Sequence, residues 1–168
     1  MSEPRDQLLA CIPRLRRYAR ALVGERASAD DLVQDTVERG WAKLNSWQGG
    51  SDMRAWLFSI MHNVYIDQVR RPSLSTESLS EETPMPTTTD TLSTRLELRD
   101  METALRQLPS EQRELLLLVA LEGMSYDEVS QTLNIPKGTV MSRLSRAREK
   151  LRASMEGRRH STTIKVVK

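Results

Sequence analysis

Hydrophobic positions recur at helical spacing along most of the chain. Apolar residues fall every three or four positions over residues 7–23 and the pattern stops at a glycine, which predicts a first helix. A second helix is expected from a cap at Ser28 to about residue 44, and a third from residue 51 or 52 to about residue 71. Residues 1–71 are therefore predicted to form one small helical domain.

A change of composition separates this domain from a second one. Residues 72–94 are dense in Ser, Thr, Glu and Pro and have no sustained helical period, which is typical of a flexible linker. Helical spacing then returns over residues 95–108 and 110–122, with Pro109 between the two segments. No strand pattern is present, so the chain is predicted to be all-α, with two small helical domains joined by a flexible linker.

A helix-turn-helix motif is predicted over residues 125–148. Ser125 is placed to cap its first helix, and acids occupy the first turn. Asn134 lies where the turn needs a left-handed backbone, which asparagine tolerates well, and Pro136 suits the start of the second helix. The turn residues and the helical spacing therefore support the same motif, which places the second domain at residues 95–155.

The second helix of this motif has a small, polar and basic outer face. Its inward positions are Val140, Leu144, Ala147 and Leu151, its outward positions are Gly138, Ser142, Ser145 and Arg146, and Met141 and Arg143 lie at the edges. In a major groove arginine reads guanine and serine reads either base edge, so the face suits DNA recognition. A solvated amphipathic hairpin and a purely protein-binding helix-turn-helix are the alternatives.

Charge is segregated along the chain although the net charge is only +2. Residues 137–168 hold ten Lys and Arg against two acids, whereas residues 72–94 hold four acids and no base. This distribution is expected for a nucleic-acid binder with a non-binding connector. Residues 156–168 are predicted to be a basic tail.

Several classes of protein are disfavoured by the residues present. The single cysteine, Cys11, excludes an internal disulfide and fits a reducing cytoplasm. No signal peptide or membrane-spanning run is visible, so direct membrane insertion is not expected. No metal-ligand cluster, nucleophile with its base or phosphate-binding loop is recognisable, so the chain is expected to be neither an enzyme nor a protein with a metal or other cofactor.

The second predicted helix has two opposite faces. Its acidic stripe consists of Asp31, Gln34, Asp35 and Glu38, and its apolar face consists of Val33, Val37, Trp41 and Leu44. Acids near a helix start often only compensate the helix dipole, but Asp35 and Glu38 lie beyond the first turn. An acidic stripe on a DNA-binding protein is expected to face a basic protein surface.

Aromatic residues are concentrated around the third predicted helix. Five of the seven aromatics lie there, at Trp41, Trp47, Trp56, Phe58 and Tyr65, among several bases. Rings beside cations suit single-stranded DNA, in which unstacked bases lie on the rings and phosphates meet the cations. For Trp41, Trp56 and Phe58 the core of a small domain is the favoured alternative, whereas Trp47 and its loop are better candidates for DNA contact.

Five segments carry a resemblance to a known family. They are Asp30–Thr36 (DDLVQDT), Arg54–Ile60 (RAWLFSI), Asn63–Asp67 (NVYID), Leu108–Arg113 (LPSEQR) and Ile135–Leu144 (IPKGTVMSRL). In this order they resemble the group IV bacterial RNA polymerase sigma factors of the sigma-70 family, known as the extracytoplasmic-function (ECF) type. The likeness is colinear over roughly residues 5–155, so it does not depend on one motif.

The resemblance implies roles for the first domain, which would be sigma region 2. It implies that the acidic stripe binds a coiled coil of the polymerase β′ subunit. It also implies that the loop of residues 45–52 and the third helix open the promoter −10 element and hold an extruded base. The residues implied in −10 DNA binding are Asn45, Trp47, Gln48, Gly49, Asp52, Arg54, His62, Asn63, Arg70 and Arg71.

The second domain would correspond to sigma region 4, which reads the −35 element and touches the flap of the polymerase β subunit. The residues implied in −35 DNA binding are Lys137, Thr139, Met141, Ser142, Arg143, Ser145 and Arg146. The implied partners are core RNA polymerase, promoter DNA and an anti-sigma factor, and the implied location is the cytoplasm. The implied function is promoter-specific transcription initiation, with the polymerase doing the chemistry.

Two other functions compete with this interpretation. One is an ordinary two-domain transcriptional regulator in which residues 1–71 dimerise or sense, but such a protein would need neither the acidic stripe nor the aromatic loop. The other is a sigma-like decoy that binds an anti-sigma factor and never reads DNA. A decoy would be expected to lack the outward Arg and Ser residues that this chain has.

Overall fold

The structure is a computed structural model that describes residues 2–70 and 92–164, with side chains described as far as residue 157. Its elements are α1 (Pro4–Val23), α2 (Arg26–Ala42), a short 3-10 helix (Leu44–Ser46), α3 (Met53–Arg70), α4 (Leu92–Gln107), α5 (Ser110–Ala120), α6 (Tyr126–Leu133) and α7 (Lys137–Ile164). Every regular element in the described residues is helical, which confirms the all-α prediction. Most of the predicted linker and Arg71 lie outside the described residues.

Helices α1, α2 and α3 form the first domain, with α2 packed against both of the others. Leu8, Leu32 and Leu57 are fully buried between them. Gly40 allows the close approach of α2 and α3, because a Cβ atom there would lie 2.9 Å from Leu57 Cδ2. Burial of such leucine side chains stabilises the domain by about 1.5–3 kcal/mol each.

Several helix boundaries differ from the predicted ones. Helix α2 starts at Arg26, so Ser28 lies within its first turn and donates a hydrogen bond to Glu25 Oε2 (3.0 Å) instead of capping the helix. Helix α4 begins at Leu92, inside the segment predicted as linker. Helix α7 runs on to Ile164, through much of the predicted basic tail. Each of these helices was predicted, but one of its ends lies elsewhere, as is common for helix termini.

The helix-turn-helix has the predicted local chemistry. Ser125 Oγ accepts a hydrogen bond from the Glu128 amide (3.1 Å), and Glu128 Oε2 accepts one from the Ser125 amide (2.8 Å), which completes a capping box. Asn134 ends α6 in the left-handed conformation with φ 54°. Val140, Leu144 and Ala147 of α7 are buried, as the helical wheel predicts. These interactions fix α7 with its opposite face toward solvent.

The two domains pack against each other. Helix α3 contacts α6, and α1 contacts α5. Leu115, Leu118 and Val129 of the second domain belong to the same buried cluster as Leu15 and Phe58 of the first. The sequence predicts two domains with a flexible connection, and periodicity alone does not predict that they share a buried cluster. None of the described helices is long and apolar enough to span a membrane.

Candidate nucleic-acid interface

The outer face of α7 carries most of the residues predicted to read duplex DNA. Met141, Ser142, Ser145 and Arg146 are exposed, and we call this set the recognition face. Ser142 Oγ donates a hydrogen bond to the Thr139 carbonyl within the helix (3.2 Å), which leaves its lone pairs available. Because these side chains project from one helix that is anchored by its buried side, they can enter a major groove together.

The other predicted residues of this helix lie at the edge of the recognition face. Thr139 and Arg143 are half-buried, and Arg143 Nη1 lies 3.8 Å from Glu111 Oε2. Lys137 Nζ lies 3.1 Å from Asp127 Oδ1 at the start of α7. The acidic partner of each ion pair, Asp127 or Glu111, is exposed to solvent, so both ion pairs are weak. DNA phosphates can therefore displace the acids.

A groove of about 300 Å³ adjoins the recognition face. Its lining residues are Tyr126, Met141, Leu144, Ser145, Arg148, Glu149 and Arg152. Arg148 and Arg152 lie one turn apart on α7, so they extend the basic surface beyond Arg146. These two arginines were not among the residues predicted to bind DNA. Their spacing from Ser145 and Arg146 in the sequence places them beside the recognition face and could have identified them.

The loop before α3 presents polar atoms to solvent. Asn45, Gln48, Gly49 and Asp52 are exposed, and Gly50 has φ 105°, a conformation that favours glycine. The loop is tightened by a hydrogen bond from Ser51 Oγ to the Gln48 carbonyl (2.8 Å). The exposed backbone and amide groups give the loop donors and acceptors for an unpaired base.

The two tryptophans beside this loop lie opposite to expectation. Trp47, expected to contact DNA, is only 9% exposed, and its indole Nε1 is buried without a hydrogen-bond partner among the described residues. Trp41, expected in the core, is 46% exposed and lies against Arg5, with the guanidinium carbon 5.7 Å from the ring centroid. The helical period identifies an apolar face but not which end of it a neighbouring element covers.

The N-terminal turn of α1 contributes to the same region. A second groove of about 300 Å³ is lined by Glu3, Pro4, Arg5, Leu44, Asn45 and Trp47. Sequence reasoning missed the N-terminal residues because they are remote from the loop in the chain. An exposed ring with a cation over its face is one way to hold a base and its phosphate, so Arg5 and Trp41 join the predicted residues.

The polar and basic side chains of α3 are divided between solvent and the domain interface. Asn63 and Arg70 are exposed. Arg54 instead donates from Nη1 to the Glu122 carbonyl (2.7 Å), and His62 Nδ1 forms a hydrogen bond with Glu114 Oε1. Two of the residues predicted to bind −10 DNA are therefore occupied by the second domain in this arrangement.

The acidic stripe lies on the outer side of α2. Asp31, Gln34 and Glu38 are exposed, and Gln34 Nε2 donates to Glu38 Oε1 (3.2 Å). Asp35 is half-buried and accepts a hydrogen bond from Gln68 Nε2 of α3 (3.1 Å). The stripe is thus anchored at its centre and open at its ends, as a docking surface for a basic partner requires.

Burial shifts the pKa of three side chains near the domain interface. Burial, reinforced by Glu114, raises the pKa of Tyr18 well above its ordinary value, and Tyr18 Oη donates to the Glu114 carbonyl (3.5 Å). Burial also raises the pKa of Tyr65 and of the Cys11 thiol, the latter with a contribution from Asp52. All three groups therefore stay neutral near pH 7, and none has the depressed pKa of a nucleophile. No group of metal-binding side chains is present in residues 2–70 and 92–157.

Two family models match the chain, one in each domain. The Sigma2 domain of PhyR matches residues 8–62, and sigma-70 region 4 matches residues 98–151. Among similar curated proteins is the ECF RNA polymerase sigma factor EcfG of Rhodopseudomonas palustris, 38% identical over 150 residues, which cover 89% of this chain and 83% of the relative. SigL of Mycobacterium tuberculosis is 33% identical over 144 residues, covering 83% of this chain and 81% of that relative.

Solved structures share the arrangement of helices. The sigma factor RpoE from Bartonella quintana, in complex with the anti-sigma factor NepR, has a TM-score of 0.74 and 32% identity over 90% of this chain and 96% of that chain. The anti-anti-sigma factor PhyR from Bartonella quintana, in complex with NepR, shares only the fold, with 18% identity, a TM-score of 0.62, and coverage of 89% of this chain and 49% of that chain. The EcfG likeness and the region 4 match together show that the chain belongs to the ECF RNA polymerase sigma factors.

Proposed function

We propose that this protein docks on core RNA polymerase through the acidic stripe and directs transcription to promoters by reading two separated DNA elements. One observation carries the proposal: a single chain presents an exposed, anchored acidic stripe on one domain and a basic recognition face on the other. A stand-alone regulator needs the second surface but not the first.

At the −35 element the recognition face binds duplex DNA. Arg146 is the side chain best suited to a guanine edge, since it is exposed at the centre of the basic surface. Ser142 and Ser145 can accept or donate to either strand's base edges, while Lys137 and Arg143 bind phosphates after leaving their exposed acids. Recognition of the −35 sequence then depends on about one turn of α7.

At the −10 element the first domain binds the separated strand. Gln48, Gly49 and Asn45 contact the extruded base in the loop, and Asn63 and Arg70 bind the strand along α3. Asp52 accepts a hydrogen bond from the Arg54 amide (2.9 Å), so its role is to fix the start of α3 beneath the loop. Trp47 supports the loop from inside, and Trp41 with Arg5 offers the exposed ring and cation.

Control by an anti-sigma factor fits the same surfaces. The related RpoE has been solved in complex with the anti-sigma factor NepR, and CnrH in complex with the cytosolic domain of CnrY. A partner that covers the acidic stripe or the α4 surface would exclude polymerase. Leu92, Leu96 and Leu98 of α4 are more than half exposed, which gives such a partner an apolar surface to cover.

The experiment that tests the function is run-off transcription with core polymerase on genomic fragments, with and without this protein. Specific start sites that require the protein are expected. The matched control is an Asp35→Lys variant, in which the docking surface is disrupted. Failure of the wild-type protein to direct any specific start would refute the proposal.

A decoy that binds an anti-sigma factor is the second candidate, because the family model matching the first domain is that of PhyR. The greater identity to EcfG and the exposed Arg146, Ser142 and Ser145 weigh against it. Binding to core polymerase separates the two functions. A decoy would bind an anti-sigma factor but neither retain polymerase on a column nor support transcription.

A further inference from the structure

The recognition face has one apolar member, Met141. Its side chain is 52% exposed, whereas Val140 and Leu144 of the same helix are 0% and 1% exposed. Met141 also belongs to neither of the two hydrophobic clusters that the described residues form. The packing of the domain therefore does not account for an apolar side chain at this position.

Met141 lies in the part of α7 that a helix-turn-helix brings closest to the bases. Helix α7 begins at Lys137, so Met141 is within its first two turns, and the N-terminal residues of the second helix are those that contact base edges. Ser145, one turn further on, shares this side of the helix, and both residues line the groove beside the recognition face. Tyr126 and Leu144 line the same groove, so the surroundings of Met141 are partly apolar.

The chemistry of the thioether limits what Met141 can recognise. Methionine has no hydrogen-bond donor, and its sulfur is only a weak acceptor. Base pairs present hydrogen-bond donors and acceptors in the major groove, and the one apolar group among them is the C5 methyl group of thymine. The methionine side chain is flexible and polarisable, so it can pack closely on a methyl group. Thymine is therefore the base that Met141 complements best.

The polar members of the recognition face serve other contacts. Ser142 Oγ donates its hydrogen to the Thr139 carbonyl (3.2 Å), so it can meet DNA as an acceptor. Arg146 suits a guanine edge, and it follows Met141 by five positions. At a rise of 1.5 Å per residue this is about 7.5 Å along the helix, which is comparable to about two base-pair steps of 3.4 Å. Met141 and Arg146 are therefore placed to address different base pairs.

We propose that Met141 gives this protein a preference for thymine at one base pair of the −35 element, by packing its thioether on the C5 methyl group. The proposal rests on the proposed function, because it requires the recognition face to enter the major groove of that element. The contact buries apolar surface comparable to one CH₂ group, which corresponds to a preference of about fourfold for thymine over the same base without its methyl group.

Deoxyuridine isolates this contact, since it pairs as thymine does but lacks the C5 methyl group. A promoter fragment is taken from a start site mapped by run-off transcription, and each thymine of its −35 region, on either strand, is replaced in turn by deoxyuridine. Binding of the holoenzyme formed from core polymerase and the full-length chain is measured by fluorescence anisotropy in the presence of competitor DNA. The ratio of affinities for the thymine and deoxyuridine fragments is the readout.

Three variants accompany the wild-type protein. Met141→Ala removes the thioether, and Met141→Gln keeps a side chain of similar length but replaces the thioether with an amide. Met101→Ala is the matched control, because it makes the same truncation at a methionine of α4 that is 38% exposed and lies outside the recognition face. Circular dichroism confirms that each variant is folded.

At one thymine the wild-type protein and Met101→Ala are expected to bind the thymine fragment about fourfold more tightly than the deoxyuridine fragment, whereas both Met141 variants bind the two fragments equally. Equal affinity of the wild-type protein for both bases at every position overturns the inference and leaves the promoter function intact. So does a Met141→Ala variant that keeps the preference, since another group then reads the methyl, or one that loses all binding, since a methyl contact supplies only part of the affinity. Absence of any mapped start site instead refutes the proposed function, and the inference falls with it.

Discussion

Replacing Arg146 by alanine tests whether α7 reads sequence or only binds phosphate. Arg146 is exposed on the recognition face, so truncation leaves no cavity and is expected to change the free energy of unfolding by less than about 0.5 kcal/mol. If its guanidinium bonds a guanine edge, the loss on the cognate −35 duplex is about 1–3 kcal/mol. Since 1.4 kcal/mol is a factor of ten, affinity should fall by about 5- to 150-fold.

The assay is fluorescence anisotropy with the cognate −35 duplex and a scrambled duplex of equal length, over a series of salt concentrations. The loss for Arg146→Ala is expected mainly on the cognate duplex. Arg143→Ala is the control, because Arg143 is half-buried beside Glu111 and is expected to act on both duplexes alike. An equal loss on both duplexes for Arg146→Ala, with the salt slope reduced by about one, would identify a phosphate contact and refute the reasoning.

Three further predictions concern the stripe, the turn and the buried tyrosine. Asp35→Lys is expected to abolish retention by core polymerase while leaving binding to the −35 duplex unchanged, and normal retention would show that the stripe is wrongly assigned. Ser125→Ala removes one half of the capping box and should lower the free energy of unfolding by about 0.5–2 kcal/mol in urea titrations, whereas Ser145→Ala, on the exposed side of α7, should not. Because the pKa of Tyr18 is raised, its contribution to stability is complete below pH 10 and is lost as the pH rises above that; Tyr18→Phe should therefore flatten the alkaline fall in stability, and an unchanged profile would contradict the assignment.

The local features of the fold were predictable because short-range physics decides them. The Ser125 capping box and the left-handed Asn134 follow from residues a few positions apart, and both are present. The buried side of α7 follows from helical spacing in the same way. The acidic stripe was also visible in the sequence, since four polar residues share one face of α2.

The features that depend on contact between distant segments were not predictable. Glu114 and Glu122 lie in an ordinary amphipathic stretch, and both are buried where the second domain packs against α1 and α3. The burial of Trp47 and the exposure of Trp41 depend on how α1 crosses the loop, which no local period reports. A helical wheel shows which face of a helix is apolar, but a partner element decides how much of that face is covered.

Gly24 links the end of one helix to the fit between the domains. It ends α1 with φ 77°, and its carbonyl accepts a hydrogen bond from Arg106 Nη2 (3.2 Å). A Cβ atom at this position would lie 2.7 Å from Arg106 Nε of the second domain. The backbone strain of any other residue would be present whether the domains are together or apart, but the steric conflict would exist only when they are together. A substitution at this one position would therefore change the fit between the domains while leaving the recognition face and the acidic stripe unaltered.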